Sequence, residues 1–529
     1  MTLRMEWSLM SLGLFDVVGP VMHGPSSSHT AGANRIGYLA GQIMGGVPKA
    51  LEFGFHPGNF QSLMGQRSHV ALAAGCLGWR EDDPRSAGAL EVAAEYGIEI
   101  ETYPIDRGAS HRNTMRVHGS WGGINWEING ISLGGGNVLI NSINGVEVSL
   151  DGNNWGVICI FDSQESMEEC GRLLSKEAGK ELKAACCGRT YGGGYLYCGA
   201  FLVQPMMVLS PELDMHLVLS RVIPPLVKFR KKNGKGAIFN TFDHFLAAGT
   251  PAIDEEAIRY ECRRTGLPRE AVLAEADRIA EISSQGIKQC LEGPPKLLGG
   301  LCLNTDGAAL AAYAASGNTL AGETFNLALA RAVLLAEANA SMGLVVAAPT
   351  GGAAGTLPAV LLTVAESREK SREELARAFL VAAAIGVVIG NKASFSGDIG
   401  GCQSSIGIGA AMAAGAAAWL GGADNAAVVH AAALALKNVL GLTCDLPADT
   451  VEVPCIKRNA MGASVALMAA EMALAGVRSA VDPDSVVDAL VDTQRRMPPE
   501  LKGSCGGLAS TAGGARLRQK WLDKLKSSE

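Results

Sequence analysis

Two patterns of apolar and polar residues divide the chain. Between Gly134 and Val203, short apolar runs rich in β-branched residues, such as Val146–Leu150 and Gly156–Phe161, predict β-strands beside one helix at Ser163–Lys176. From residue 236 onward the chain is rich in alanine, its apolar residues recur at helical spacing, and Gly/Pro-rich loops separate the segments. The helices predicted in this part are Glu255–Thr265, Arg269–Cys290, Gly322–Asn339, Ser371–Ile389, Asn425–Leu440 and Ala460–Ala475.

The N-terminal part has a polar turn followed by an amphipathic segment. Apolar spacing predicts a helix over Ala31–Met44, ended by Gly45 and Gly46, directly after the sequence GPSSSHT. Hydroxyl groups at the start of a helix, together with backbone N–H groups and the helix dipole, can cradle a carboxylate or a phosphate. An ordinary N-cap needs only one hydroxyl. Four hydroxyls with His29 among them therefore favour a binding role.

These patterns predict a multidomain protein. We expect an N-terminal α/β domain at residues 1–145, a small α+β domain at 146–205, a linker at 206–235 and a C-terminal, mostly α-helical domain at 236–529. The uncharged stretch Ile406–Ala423 consists mainly of Ala and Gly, so it predicts a closely packed buried helix rather than a membrane span. The large Ala/Gly-rich helical surface favours a homodimer.

Composition excludes several classes of partner. The 529 residues carry a net charge of −7, which gives no electrostatic footprint for nucleic acid or an anionic membrane. The basic run Lys228–Lys235 is short and contains Gly, and a solvated linker is the better interpretation. The 13 cysteines are scattered and the first residues lack the features of a signal peptide, so we expect a reducing cytoplasm in which cysteines are core residues or ligands.

Three cysteines stand apart because of their surroundings. Cys402 lies in the Gly-rich turn SFSGDIGGCQSSIG, and Cys444 and Cys455 bracket the Pro-containing loop CDLPADTVEVPC. Thiolates presented from loops at helix ends hold iron–sulfur clusters. Three ligands rather than four would leave one iron open to bind a substrate oxygen. The spacing includes no CxxC pair, so three buried core cysteines remain an alternative on spacing alone.

The sequences around these cysteines resemble a known family. GGCQSSIG, LTCDLPADTVEVPCIKRNAMGAS and the upstream APTGGAAGTLPAV resemble the catalytic subunit of the bacterial iron–sulfur L-serine dehydratases, and LFDVVGPVMHGPSSSHTAGANRIG resembles the other subunit. The resemblance covers nearly the whole chain and implies a beta-like domain first and an alpha-like catalytic domain last. It implies a 4Fe-4S cluster bound by Cys402, Cys444 and Cys455. The implied activity is an oxygen-sensitive lyase that converts L-serine, or a closely related β-hydroxy amino acid, to a 2-keto acid (pyruvate from serine) and ammonia.

The small domain at 146–205 resembles the ACT regulatory domain of two-subunit relatives. It carries DSQESMEE where an ACT domain usually has an Asp-x-x-Gly ligand turn. We therefore expect a degenerate ACT-like domain with a structural role.

Elimination of water from a β-hydroxy amino acid requires a base for the α-proton and an acid for the hydroxyl. The open iron of the implied cluster would be the acid, and loop groups would fix the carboxylate and the amine of a small amino-acid substrate. The residues expected near the reacting carbon are His29, His23 and His69. The residues expected to bind the substrate are Ser26, Ser27, Ser28, Thr30, Arg67, Thr350, Gly351, Ser396 and Gly397.

Several positions depart from the family pattern. GQRSH at Gly65–His69 stands where relatives usually have Gly-His-Gly-Thr-Asp, Ser405 where they carry Glu, and Leu446–Asp449 where they read Pro-Val-Ala-Gly. Because the cysteines are kept while their surroundings change, the sequence predicts retained iron chemistry with an altered substrate pocket. Arg67 favours a substrate with an additional anionic group, since guanidinium suits carboxylate or phosphate; the alternative is a surface residue.

Other functions stay open at the level of sequence. The same fold could act on a different, anionic amino acid or as a cysteine desulfidase, which product analysis would separate. A non-catalytic amino-acid-binding protein would bind its ligand without turnover and without depending on the three cysteines. A pyridoxal-phosphate lyase would need a Schiff-base lysine, for which Lys392 and Lys457 are candidates.

Overall fold

The computed structural model describes residues 12–109, 111–179, 182–202, 204, 217–226, 239–303, 305–503 and 506–526. The chain forms two compact units. One unit, here called the helical unit, combines Met1–Ser27 with Asn233–Glu529, and the other, here called the sheet unit, is Ser28–Lys232.

Helices dominate the helical unit, and in the other unit helices pack against the strands. The helices of the described residues are α1 (Leu14–Val17), α2 (Gly32–Met44), α3 (Pro57–Phe60), α4 (Leu63–Gln66), α5 (Ser68–Cys76), α6 (Ala89–Glu95), α7 (Gln164–Ala178), α8 (Asp243–Leu246), α9 (Ile253–Thr265), α10 (Arg269–Glu292), α11 (Asp306–Ala315), α12 (Glu323–Ala340), α13 (Thr356–Ser367), α14 (Arg372–Gly390), α15 (Gly397–Gly400), α16 (Ile408–Leu420), α17 (Asn425–Lys437), α18 (Cys455–Leu474), α19 (Pro483–Arg496) and α20 (Ala512–Lys526).

Strands are concentrated in the sheet unit. The strands of the described residues are β1 (Val21–His23), β2 (Ala50–Phe55), β3 (Glu99–Pro104), β4 (Thr114–Trp121), β5 (Ile124–Gly134), β6 (Asn137–Ile143), β7 (Val146–Leu150), β8 (Trp155–Phe161), β9 (Leu182–Arg189), β10 (Tyr195–Phe201), β11 (Leu217–Ile223), β12 (Leu344–Val346), β13 (Cys444–Asp445) and β14 (Lys502–Gly503).

A six-stranded sheet of order β3-β2-β4-β5-β6-β7 forms the first layer of the sheet unit. It is antiparallel except for the parallel pair β2 and β3. Helices α2 and α5 cross closely, and glycine at the crossing permits this. A Cβ atom at Gly37 would lie 2.2 Å from the Leu72 carbonyl oxygen, and one at Gly75 would lie 2.0 Å from the Asn34 carbonyl oxygen. The α/β character expected of the N-terminal part is confirmed. The sheet continues through β7, beyond the boundary expected after residue 145, because β7 pairs with β6.

A second, four-stranded sheet has the order β11-β8-β10-β9. Helix α7 packs on it through an apolar cluster that includes Cys159, Phe161, Cys170 and Tyr197. The predicted strands and helix of this stretch are present. The ACT-like assignment stays a prediction, and residues 205–216 between β10 and β11 lie outside the described residues.

The helical unit is built around α16. All its residues except Trp419 are buried, and it packs against α13, α14, α17 and α18. Its Ala and Gly residues allow this close approach, and the prediction of a buried helix over this stretch is confirmed. Among the described helices, none has the length and apolar character needed to cross a membrane.

Strand β1 joins the N-terminal segment to the helical unit. It pairs antiparallel with β12, with Val21 opposite Val346 and His23 opposite Leu344. The flanking backbone bonds run from Gly19 N to the Ala347 carbonyl (2.8 Å) and from Ala347 N to the Pro20 carbonyl (3.0 Å). Strand β1 therefore belongs to the same compact unit as the C-terminal helices.

Candidate active site

Three cysteines from separate segments lie in one buried apolar cluster of the helical unit. Cys402 precedes a π-helical turn that leads into α16, Cys444 begins β13, and Cys455 is the first residue of α18. Their exposed fractions are 6%, 9% and 8%. The other members of the cluster are Ala353, Ile406, Leu446 and Val451. Because the flanking residues are apolar, this pocket keeps water away from the thiols.

The three thiols have different proton affinities. A hydrogen bond between the thiols of Cys402 and Cys444 lowers the pKa of Cys402 to about 7 and, together with burial, raises that of Cys444. Burial raises the pKa of Cys455. Cys402 is therefore the thiol that most readily becomes a thiolate, the form that binds metal.

Arg458 connects Cys402 to the segment that carries Cys444. Its Nη1 donates to the Cys402 sulfur (3.4 Å) and to the Thr443 carbonyl (2.7 Å), and its Nη2 lies 2.8 Å from Asp445 Oδ1. Asp445 Oδ2 in turn accepts a hydrogen bond from Leu508 N (3.0 Å). A guanidinium forms several directed bonds at once, so Arg458 fixes the relative positions of two cysteine-bearing segments.

The donor set suits an iron–sulfur cluster. Three thiols in an apolar shell are soft ligands, which favour iron–sulfur clusters over hard cations. Among the described residues, no group of three His, Cys, Asp or Glu side chains is spaced to hold a single metal ion. In a 4Fe-4S cluster each thiolate binds a different iron, so the ligands need not converge on one point. The residues present therefore fit the group that the sequence implies.

The loop of Thr350 lies beside the cysteine-bearing helices. Thr350 Oγ1 and Ser405 Oγ form a 2.5 Å hydrogen bond, and both side chains are buried. A Cβ atom at Gly351 would lie 3.0 Å from Ser27 N. The loop thus passes close to the backbone of the hydroxyl-rich segment, and glycine permits that approach.

Asn459 holds the same loop against α18. Its Nδ2 donates to the carbonyls of Gly352 (2.9 Å) and Cys455 (3.0 Å), and its Oδ1 accepts from Gly355 N (3.0 Å) and Thr356 Oγ1 (3.1 Å). The side chain is 1% exposed. The side-chain amide of Asn459 therefore links the loop directly to Cys455.

Ser396 and Gly397 lie next to the cysteines. A Cβ atom at Gly397 would lie 3.8 Å from the Cys444 sulfur. Ser396 is 6% exposed, and its Oγ has no hydrogen-bond partner among the described residues. A buried hydroxyl without a partner is costly, and a bound polar molecule would satisfy it.

His23 also belongs to the helical unit. Its Nδ1 lies 2.8 Å from the Met342 carbonyl oxygen. A carbonyl only accepts, so Nδ1 carries the proton, and the neutral imidazole then has its lone pair on Nε2. Nε2 is buried and has no partner among the described residues. His23 is thus held in the tautomer that can accept a proton at Nε2.

Other predicted residues lie in the sheet unit. Ser28 Oγ bonds to His29 Nδ1 (3.1 Å), His29 Nε2 bonds to Asn59 Oδ1 (3.1 Å), and Asn59 Nδ2 donates to Asn113 Oδ1 (3.1 Å). Thr30 Oγ1 donates to the carbonyl of Gln66 (2.9 Å). His29 is therefore oriented at both ring nitrogens.

The predicted residues are divided between the two units. The helical unit contains His23, Ser26, Ser27, Thr350, Gly351, Ser396, Gly397, Cys402, Cys444 and Cys455, and the sheet unit contains Ser28, His29, Thr30, Arg67 and His69. Sequence reasoning missed Arg458, Asn459, Asn59 and Asn113. The first two lie within the motif VEVPCIKRNAMGAS, which was a signal for them, whereas nothing in the sequence marked the two asparagines of the sheet unit.

Lys392 and Lys457, the candidates for a Schiff base, are both engaged in ion pairs. Lys392 pairs with Asp488 (2.7 Å) and Lys457 pairs with Asp306. An ion pair favours the charged ammonium, whereas a Schiff-base lysine reacts as the neutral amine. The geometry therefore gives no support to a pyridoxal-phosphate site at these positions.

Comparison with known proteins finds similar chains. Residues 248–509 match the family model described as the serine dehydratase alpha chain. A probable L-serine dehydratase alpha chain of Bacillus subtilis (strain 168) is 39% identical over 269 residues, which are 51% of this chain and 89% of the relative. The L-serine dehydratase alpha chain of Peptoniphilus asaccharolyticus is 41% identical over 211 residues, 40% of this chain and 72% of the relative.

A beta chain of the same family matches the chain as well. The probable L-serine dehydratase beta chain of Bacillus subtilis (strain 168) is 36% identical over 151 residues, 28% of this chain and 69% of the relative. Both kinds of chain thus have a counterpart in one polypeptide. The protein belongs to the L-serine dehydratase family of lyases, with alpha-chain and beta-chain counterparts fused in a single chain.

Proposed function

We propose that this protein converts L-serine to pyruvate and ammonia with a 4Fe-4S cluster bound by Cys402, Cys444 and Cys455. The observation that carries the proposal is the convergence of these three thiols in one buried cluster, in a chain that shares 39% identity with a probable L-serine dehydratase alpha chain. A cluster with one iron free of protein ligands would supply the Lewis acid that polarises the substrate hydroxyl.

The protein contributes the ligands and a dry environment. The apolar side chains around the cysteines limit access of water, which strengthens electrostatic interactions within the site. The hydrogen bond from Arg458 to the Cys402 sulfur stabilises the thiolate form of that ligand. This bond offsets the burial, which by itself disfavours a thiolate.

His23 is our candidate for the general base. The Met342 carbonyl fixes its Nδ1 proton, so Nε2 can take the α-proton from a bound amino acid. The same carbonyl would stabilise the imidazolium that results. His29 and His69, in the sheet unit, are alternative bases.

Hydroxyls and backbone groups around the Thr350 loop would bind the polar ends of the substrate. Ser396 Oγ is buried without a partner among the described residues, and the hydroxyls of Thr350 and Ser405 already form a pair that a third polar group could join. Loss of the α-proton and of the hydroxyl gives an enamine. In water it rearranges to an imine, which hydrolyses to pyruvate and ammonia without further help from the protein.

The test is anaerobic reconstitution with iron and sulfide, followed by assays of pyruvate and ammonia from L-serine. We expect turnover that is lost in air and absent in Cys402→Ser, Cys444→Ser and Cys455→Ser. Cys290→Ser is the matched control, because Cys290 is buried but bonds only to the Leu334 carbonyl. Sulfide release from L-cysteine without turnover of L-serine would show that the substrate is L-cysteine instead. Failure to take up any cluster would refute the proposal.

A further inference from the structure

The turn at Arg67 has an unusual backbone. Arg67 separates α4 from α5 and has φ 55°, in the left-handed region that a residue with a Cβ seldom adopts. The Thr30 hydroxyl holds this turn by donating to the Gln66 carbonyl (2.9 Å). Such a backbone is strained and persists where surrounding contacts enforce it. The turn is therefore held in place from the hydroxyl-rich segment that precedes α2.

The charge of Arg67 lacks a partner among the described residues. Its Nε is buried without a hydrogen-bond partner, and burial lowers the pKa of the guanidinium. The opposing charge is Glu91, an exposed residue that makes no hydrogen bond to Arg67. A guanidinium withdrawn from water without a paired carboxylate is unfavourable.

Arg67 is half-buried, and the two arginines that are more deeply buried among the described residues are compensated. Arg35 donates to Glu81 at 2.9 and 2.7 Å and to the Gly136 carbonyl at 2.7 Å, and Arg264 pairs with Glu261 at 2.6 Å. Arg67 has no such carboxylate at hydrogen-bond distance among the described residues. The missing partner is an anion.

The two residues after Arg67 also carry unsatisfied polar atoms. Ser68 is 1% exposed and its Oγ has no partner, and His69 is 7% exposed and its Nδ1 has no partner among the described residues. Burial and the charge of Arg67 lower the pKa of His69 to about 4, so its imidazole is neutral. The turn therefore offers a cation, a hydroxyl donor and a ring nitrogen that accepts a hydrogen bond.

We propose that the turn formed by Arg67, Ser68 and His69 is a carboxylate-binding site that supplies the missing anion. The planar guanidinium would donate hydrogen bonds to both carboxylate oxygens. The Ser68 hydroxyl would donate a further hydrogen bond, and His69 Nδ1 would accept one from a donor group of the same ligand. An amino acid has such a group in its ammonium. The site deepens the proposed function and rests on it for the identity of the ligand, since the substrate is itself a carboxylate.

Two kinds of carboxylate could occupy the site: the α-carboxylate of L-serine, or a second carboxylate on a larger β-hydroxy amino acid. Inorganic phosphate is included as an oxyanion that is not a carboxylate. The experiment measures the dissociation constants of L-serine, L-threo-3-hydroxyaspartate, succinate and phosphate by anaerobic calorimetry on the reconstituted full-length protein. The variants are Arg67→Gln and Arg67→Lys. The control is Arg85→Gln, an exposed arginine of the same unit that pairs with Asp83.

We expect Arg67→Gln to weaken the binding of at least one carboxylate ligand tenfold or more, Arg67→Lys to fall between it and the wild type, and Arg85→Gln to bind as the wild type does. Loss of L-serine binding identifies the α-carboxylate, and loss limited to the dicarboxylates identifies a second anionic group. Equal binding by the wild type and Arg67→Gln for every carboxylate, or an effect on phosphate alone, would overturn the proposal.

A second measurement separates binding from a structural role. Because the charge of Arg67 is uncompensated, Arg67→Gln is expected to leave the melting temperature of the ligand-free protein unchanged or higher. A marked decrease would mean that Arg67 supports the fold and would overturn the inference. The iron content and turnover of the wild type are recorded in parallel. A wild type without cluster or turnover that still binds carboxylates through Arg67 refutes the proposed function and supports the site.

Discussion

Arg458 Nη1 lies 3.4 Å from the sulfur of Cys402, while Nη2 of the same guanidinium lies 2.8 Å from Asp445 Oδ1. Arg458 follows Cys455 by three residues, and Asp445 directly follows Cys444. One side chain of the helix that begins at Cys455 thus contacts Cys402 and both neighbours of Cys444. The geometry of the three thiols depends on Arg458 as well as on the loops that carry them.

Arg458→Met is expected to weaken cluster retention, because residues that hydrogen bond to metal ligands typically contribute about 10–100-fold to metal affinity. The measurement is the rate of iron release to a chelator under anaerobic conditions, together with the electron paramagnetic resonance spectrum. Arg458→Lys keeps the charge but lacks the planar fork, and we expect an intermediate rate. Lys457→Met is the control, since Lys457 pairs with Asp306. Equal release rates for the two Met variants would contradict the assigned role of Arg458.

His23→Gln is expected to lower kcat by roughly 10²–10⁴-fold, the usual contribution of a general base, with the visible spectrum of the cluster unchanged. Gln can still donate to the Met342 carbonyl but cannot take up a proton. His430→Gln is the matched control, because His430 is a half-buried histidine that accepts a hydrogen bond from Ser479 N (3.2 Å). Full activity of His23→Gln would move the search for the base to His29 and His69.

Asn459→Ala is expected to destabilise the helical unit by about 3 kcal/mol, since it leaves the buried Gly355 N–H and the Gly352 carbonyl without partners. Melting of the cluster-free protein tests this expectation. The comparison is Asn438→Ala, which removes a single bond from Nδ2 to the Leu434 carbonyl. Melting temperatures that fall equally in both variants would show that the four bonds of Asn459 act no differently from one local bond.

Glu337 is expected to make stability depend on pH. Burial raises the pKa of its carboxyl from 4.5 to about 7. The folded protein therefore keeps this proton up to about pH 7, whereas the unfolded chain releases it near pH 4.5. Stability is lost as the pH rises through this window.

Glu337→Gln removes that dependence and keeps an oxygen for the bond from Gly307 N (3.2 Å). The melting temperature of the variant should exceed that of the wild type more at pH 8 than at pH 5, and the exposed Glu292→Gln should show no such difference. A difference that is the same at both pH values would be inconsistent with a buried neutral carboxyl.

The regular elements could largely be predicted from the sequence. Apolar periodicity located α10 and α14 to within a few residues, and the lack of charged residues located α16, which is buried on nearly all sides. Helix α18 begins at Cys455, five residues before its predicted start at Ala460. The polar residues Lys457, Arg458 and Asn459 interrupt the apolar pattern there, because their side chains form specific contacts instead of packing in the core.

The candidate site was predictable only in part. The motifs located the cysteines, and the structure places these in one cluster. The bonding partners of Arg458 and Asn459 are up to 107 residues away in sequence, so no local pattern specifies them. The hydrogen-bond partners of Asn59 and Asn113 are likewise distant in sequence. Strand β1 is three residues long, too short for an alternating pattern, and its pairing with β12 is equally non-local.

The pairing of β1 with β12 also sets an order of events during synthesis. Val21 precedes its partner Val346 by 325 positions (346 − 21). At roughly 5–20 residues per second, a ribosome takes about 15–65 s to cover that distance. During this interval the first strand exists without its partner, while all of Ser28–Lys232 emerges between the two. Strand β1 can therefore pair correctly only after β12 has been synthesised. Because both halves are in one polypeptide, β1 stays covalently linked to the segment that contains its partner strand.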